Sequence, residues 1–218
     1  MTQTSLLKRL IFYCGFILLQ NLVSTVVFLP KISDVLLALI SVLVAGGFIY
    51  FLTTRYQKQL LVYNPRAIGQ KKVVGKWKYV LLGVLAMFAA NIVLANFLPE
   101  TTENQAGINQ SFLVNPITLT VYGVILAPII EELLFRGIFM NYFWNKDTAR
   151  AKVLAVLTSA LLFGLMHEPR ISMALLLYMT LGIVLASVYQ KTEDLRCSML
   201  VHMLYNGLGF VGMFLTLQ

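Results

Sequence analysis

An all-α bundle of about seven membrane-crossing helices is the fold this sequence predicts, on three observations. Apolar residues make up 59% of the 218 and charged residues 12%, with a mean hydropathy of +0.80; an ordinary soluble domain is about 45–50% apolar and roughly 25% charged. Apolar runs of the length that crosses a bilayer, about 20 residues, recur along the whole chain. The basic residues also alternate between connections. Seven of the 17 Lys and Arg (Arg55, Lys58, Arg66, Lys71, Lys72, Lys76 and Lys78) stand in one connection with no acidic residue, and the next basic residue is Arg136. Such alternation is the mark of the positive-inside rule. It assigns the net charge of +8 to topology and contact with anionic lipid, and argues against a nucleic-acid partner.

The spans follow in order. Leu6–Leu29 carries Lys8 and Arg9 at its start, is broken only by polar residues such as Gln20, Asn21 and Ser24, and stops at Pro30. It is longer than a signal-peptide core and lacks a small-x-small cleavage site, so it reads as a retained first span. Ser33–Leu52 is the second, with Gly46-Gly47 as the expected point of close helix packing. Tyr79–Leu98 is the third, ended by Pro99. Pro116–Phe143 is the fourth and contains Glu131, Glu132 and Arg136. Val153–His167 is the fifth; at about 15 residues it is short of a full crossing, and Pro169 limits it. Ile171–Tyr189 is the sixth. Ser198–Leu217 is the last and carries His202 and Asn206. Glu100–Gln110 reads as the one polar loop of any length on the outer side. Lys8 and Arg9, the seven-charge connection and Lys146, Arg150 and Lys152 fall on one side, Glu100 and Glu103 on the other. The expectation is a multi-pass protein of the plasma membrane with a cytoplasmic N-terminus and an external C-terminus. Cys14 and Cys197 show neither CxxC nor other metal-like spacing, which argues against a disulfide or a zinc–thiolate site.

Four ionisable side chains inside the spans, Glu131, Glu132, His167 and His202, mark the candidate active site. Each intramembrane charge costs roughly 2.5–3.5 kcal/mol, so each needs a partner or a use. Glu132 and Arg136 are four apart and share a helix face, as an ion pair would. Glu131 lies about 100° round the helix and is left without that partner, in the position of a general base. Pro128 removes a backbone hydrogen bond just upstream and is a candidate kink. The only two histidines each sit in a helix-spaced pair, Phe163 with His167 and His202 with Asn206, so each pair can line one cavity. Taken singly these residues have bland readings. An i,i+4 pair fixes helix packing, a histidine at a helix end is interfacial, and an asparagine is inter-helix glue. Glutamates and two histidines on three separate apolar helices are harder to assign to packing.

The ordered set Glu131-Glu132-x-x-x-Arg136, Phe163-x-x-x-His167 and His202-x-x-x-Asn206 resembles the three motifs of the CPBP family, the CAAX proteases and bacteriocin-processing or self-immunity proteins also called the Abi family. The resemblance covers Ala127–Asn206. It implies an intramembrane endopeptidase whose catalytic core lies at about 116–217, inside a helix bundle at 79–218 that follows a two-span region and basic cytoplasmic loop at 1–78. Carried over by motif, Glu131 and His167 would activate the attacking water, and His202 and Asn206 would bind the oxyanion. Glu132 and Arg136 would brace the site with Phe163 in support, and Glu132 is a candidate for a more direct part. Two mechanisms suit these residue types. In one, Glu131 is the base and no cofactor is needed. In the other, the protein is a metalloprotease whose Zn²⁺ is held by Glu131, His167 and His202; no HExxH is present and the histidines are 35 apart, so spacing does not favour it.

By depth along the helices, the cavity is expected to open to the cytoplasm, with cleavage of a peptide or membrane protein near that face. Compact size points to a bacterial protein, with roles in bacteriocin or peptide processing or in self-immunity. Two other readings stand beside the protease: a non-proteolytic immunity or scaffold protein, and a proton-coupled transporter. Against the transporter, no inverted repeat or matching pair of broken helices is visible.

Overall fold

A computed structural model describes residues 5–70, 73–98 and 102–216, and among them there is helix and no strand. Helix α1, Leu6–Ser24, starts where Ser5 Oγ accepts from Lys8 N and ends in a short 3₁₀ turn, Thr25–Phe28. Then come α2, Asp34–Val62, and α3, Lys76–Ala95. Helix α4, Glu103–Val114, is capped by Thr102, whose Oγ1 accepts from Gln105 N at 3.1 Å. The long α5 spans Pro116–Phe143. Thr148 caps α6, Ala149–His167, and Ser172 caps α7, Met173–Thr192. The last, α8, is Leu195–Thr216. Each capping hydroxyl satisfies one of the donors that a helix start leaves unpaired. All but α4 are long and apolar enough to cross a membrane, giving seven candidate spans. The protein is an all-α, multi-pass bundle.

Several sequence expectations are corrected. The second span does not stop at Leu52 but continues as helix to Val62, carrying Arg55 and Lys58 with it; Arg55 lies over the Phe51 ring at 5.1 Å, a charge held at the end of an apolar helix by a long stem. The fifth span is not short, because its helix begins at Ala149 and runs 19 residues to His167. The polar stretch read as an outer loop is helix α4 from Glu103 onward. Gly46 and Gly47 do not mark a close approach. A side chain at either would meet nothing within 4 Å, since α2 buries a different stripe that includes Leu37, Ser41, Ala45, Phe48 and Leu52. The close approach is at Gly182, where an added Cβ would lie 2.9 Å from Ala160 Cα, so α6 and α7 meet backbone to backbone. Lys71, Lys72, Pro99, Glu100 and Leu217 lie outside the described residues.

Helix α5 runs through the centre of the bundle and is not a uniform α-helix. Its winding is α over Pro116–Val121, π over Tyr122–Leu126, α over Ala127–Glu131, π over Glu132–Phe139 and α over Met140–Phe143. Pro128 has no N–H to continue the i→i−4 ladder, and the first π stretch lies just before it. In lipid, carbonyls loosened by such winding need partners from neighbouring helices. Here Asn206 Nδ2 donates to Gly123 O, Ser159 Oγ to Phe135 O and Gln59 Nε2 to Ile138 O. Asp34 fixes the start of α5: its two carboxylate oxygens accept from Ile117 N and Thr118 N, both at 2.8 Å. Below Glu131 the bundle is solid, with Leu134, Ile138, Met140, Leu185 and Tyr189 fully buried.

Candidate active site

Three spans bring Glu131, His167 and His202 together. Glu131, at the last α-wound position before the second π stretch, points its Oε2 at both imidazoles: His167 Nε2 lies 3.9 Å away and His202 Nε2 3.8 Å. These separations are too long for direct hydrogen bonds and are within the span that one water bridges. Glu131 Oε2 is buried and has no hydrogen-bond partner among the described residues.

The other nitrogen of each ring is tied down. His167 Nδ1 bonds the carbonyl of Phe163 at 2.8 Å, and His202 Nδ1 bonds Glu132 Oε1 at 3.1 Å. A backbone carbonyl only accepts, so His167 carries its proton on Nδ1 and directs Nε2 to the centre. Glu132 also accepts from Arg136 Nη1 at 2.8 Å, and Arg136 Nη2 donates to Gly182 O at 3.1 Å. Both members of this pair are 0% exposed, an arrangement that persists only when the charges meet and are hydrogen-bonded. Phe163 fills the space between the groups. Its ring lies 4.4 Å from His167 and 5.7 Å from His202, with the Arg136 guanidinium 4.7 Å above it. The four-residue spacings in the sequence thus have a physical content: one sets the ion pair, one fixes a histidine against its own helix carbonyl.

Above these groups lies a cavity of about 650 Å³, lined by Glu131, His167, His202 and Asn206 and by residues of α1, α3, α4 and α7. Asn206 stands at its wall with one amide N–H on Gly123 O, the inter-helix bond of the bland reading, and its second N–H remains for a ligand. Beside Tyr205 at the cavity wall, two other tyrosines join the site. Tyr178 stacks on His167, with ring centres 4.8 Å apart and planes at 25°, and its hydroxyl bonds Thr102 and Asn104, which ties α4 to the histidine. Tyr122 lines the same cavity with its hydroxyl buried and unpartnered. Neither follows from spacing. Tyr178 reaches His167 across a turn between two helices, and Tyr122 is the first residue of the π winding. The cavity is walled by the ends of the spans opposite the basic connections.

Two imidazole Nε2 atoms and a carboxylate, each ring held from behind, are donors of the kind zinc takes. As placed, they stand somewhat wider than a bound zinc ion would hold them. Ligand atoms about 2.0–2.1 Å from a tetrahedral ion stand about 3.4 Å apart, against 3.8 and 3.9 Å here. Among the described residues no group of three His, Cys, Asp or Glu side chains is assembled to hold a metal ion.

Comparison with known proteins agrees with the motifs. Residues 113–208 match the family described as type II CAAX prenyl endopeptidase Rce1-like, a stretch that contains every residue named above from Tyr122 to Asn206. The UPF0177 protein YvdC of Lactococcus lactis subsp. lactis strain IL1403 is 32% identical over 175 residues, 75% of this chain and 64% of the relative. The UPF0177 protein YbdI of the same strain is 32% identical over 59% of this chain and 69% of its own length. The "Putative membrane peptidase YdiL" of Bacillus subtilis strain 168 is 28% identical over 48% of this chain and 41% of the relative. The chain thus spans between two fifths and seven tenths of these relatives. No solved structure matches it significantly. A family model that encloses all three motifs, relatives that share much of the bundle, and a buried Glu–His–His cluster inside the spans lead to one assignment: the chain belongs to the CPBP (Abi) family.

Proposed function

We propose that this protein is an intramembrane endopeptidase in which Glu131 is the general base and no metal takes part. The observation that supports it best is the convergence of Glu131 Oε2 with both Nε2 atoms, at 3.8 and 3.9 Å, on the floor of the cavity. A water between Glu131 and His167 gives a proton to the carboxylate and hydrogen-bonds to the Nε2 lone pair. Its oxygen attacks the scissile carbonyl carbon, and the carbonyl oxygen becomes the oxyanion. His202 donates to that oxyanion from Nε2 while the Glu132 carboxylate at Nδ1 balances the charge of the ring. The second N–H of Asn206 is the other donor. Collapse breaks the C–N bond, and the proton on Glu131 passes to the leaving nitrogen, giving a carboxylic acid and an amine. Base catalysis of this kind contributes about 10²–10⁴-fold and each oxyanion donor about 10²–10³-fold. The substrate is a peptide or membrane-protein segment, and the association of the family with bacteriocin systems makes peptide processing or self-immunity the natural role.

The test compares peptide termini by quantitative mass spectrometry in cells expressing wild type, Glu131→Gln or His202→Ala at matched levels. A cleavage product present in wild type and lost in both variants is expected, and it names the scissile bond. Identical profiles, with protection of the cell by all three forms, would replace proteolysis by the scaffold role.

A further inference from the structure

The two ends of the bundle differ in charge and in solidity, and together these differences fix the route to the site. Strict alternation of the spans puts Lys8 and Arg9, Lys76 and Lys78, and Lys146 to Lys152 at one end, where Lys191 and Arg196 are balanced by Glu193 and Asp194. At the other end the only Lys or Arg among the described residues are Lys31 and Arg170, and Arg170 is paired with Glu103 and Glu168. The positive-inside rule makes the first end cytoplasmic. The cavity belongs to the second. Its walls include Phe28 at the end of α1, Leu98 beyond α3, Gln105 and Ile108 of α4, and Met213 near the end of α8. Between Glu131 and the basic end stand the buried Glu132–Arg136 pair and the fully buried Phe135, Ile138, Met140 and Tyr189, which leave no path. Helix rise puts Glu131 about 18 Å from the Phe143 end of α5 and His202 about 10 Å from the Leu195 end of α8, so what closes the basic end is packed side chains and not depth.

We propose, resting on the endopeptidase reading, that the substrate enters from the external face, and that it is an exported peptide or an outer-leaflet segment of a membrane protein. The chemistry of the walls narrows the class. Among the described residues no Lys or Arg lines the cavity; its polar groups are the amides and hydroxyls of side chains such as Asn91, Asn104, Gln105 and Tyr205, set among apolar residues. Apart from the two imidazoles at its floor, nothing there pairs with a free carboxylate or a phosphate. The segment bound is therefore largely apolar and without acidic groups, and it is cut at an internal bond.

The test is accessibility of single cysteines in a Cys14→Ser, Cys197→Ser background, probed with a membrane-impermeant cationic methanethiosulfonate. Gln105→Cys and Ala127→Cys report the cavity at two depths, and Lys146→Cys reports the basic end. Positions 105 and 127 are expected to react in intact cells, and position 146 only after permeabilisation. Position 146 reacting in intact cells, or position 127 failing to react from outside, overturns the external route. Labelling needs no proteolysis, so this outcome is independent of whether the protein is an active peptidase. In cells that form the cleavage product, modification of Gln105→Cys from outside is expected to lower its formation at least tenfold; formation at the full rate overturns the route.

Discussion

Glu131 and Glu132 are neighbours in sequence and opposites in circumstance. Glu132 meets Arg136 and His202 and is sealed in, whereas Glu131 meets two imidazoles across gaps and lines the cavity. Substitution separates them. Glu131→Gln removes the base and is expected to lower cleavage about 10²–10⁴-fold while leaving the melting temperature in detergent unchanged. Glu132→Gln leaves a buried guanidinium without its counter-ion, a change that costs about 3–5 kcal/mol, so thermal unfolding is expected at a clearly lower temperature. A Glu132→Gln protein that melts with wild type would show that the pair does not hold the spans together. At this scale the sequence was informative. The four-residue spacing from Glu132 to Arg136 and the rotation that separates Glu131 both follow from helix geometry. Tyr178, like Tyr205, could be read from the sequence as within reach of the site but not singled out, because its stacking on His167 depends on how α6 and α7 pack, and no local pattern carries that.

The elements that position the site are α5 and the tight pair α6 and α7. The two π stretches of α5 flank Glu131, and π winding inside α-helices is frequent at functional sites. Asn206, Ser159 and Gln59 hold the carbonyls of those stretches, so the shape of α5 is set by other helices. The close contact of Gly182 with Ala160 brings the Gly182 carbonyl to Arg136. Gly182→Val is expected to force α6 and α7 apart at a cost of about 1–3 kcal/mol, read as a lower melting temperature and reduced cleavage together. Hydropathy located all seven spans, since length and apolarity alone define them. It missed the continuation of α2 past Leu52, where charged residues ride on a helix, and it missed α4, whose residues are polar and whose place is set by Thr102, Asn104 and Tyr178. Pro128 gave the position of the irregularity in α5 but not its π form, which depends on partners from other spans.

The whole molecule is polarised, with basic connections and a solid interior at one end and the cavity at the other. At the basic end Asp194 joins α3 to the α7–α8 turn by accepting from Arg196 and, at 3.0 Å, from Lys76 Nζ. Arg196 above all, then Lys76, holds the Asp194 carboxyl well below the usual carboxylate range. A depressed carboxyl stabilises the fold above its unfolded value, and that contribution is lost only as pH falls through the lower folded value. Asp194→Asn is therefore expected to cost about 1 kcal/mol or less, with the same loss of melting temperature at pH 5 and pH 8. A loss that shrinks between those values would mean that the carboxyl titrates there. The basic connections that set this polarity were legible in the sequence. The position of the cavity was not, because depth along single helices does not say which end of the bundle is filled. The most direct measurement is made on purified protein in liposomes, with a peptide spanning the bond found in the terminus profile, before and after exhaustive chelation. Cleavage that survives chelation and disappears in Glu131→Gln is expected of a glutamate base working without metal. Cleavage lost on chelation and restored by Zn²⁺, or an undiminished rate in Glu131→Gln, would contradict it.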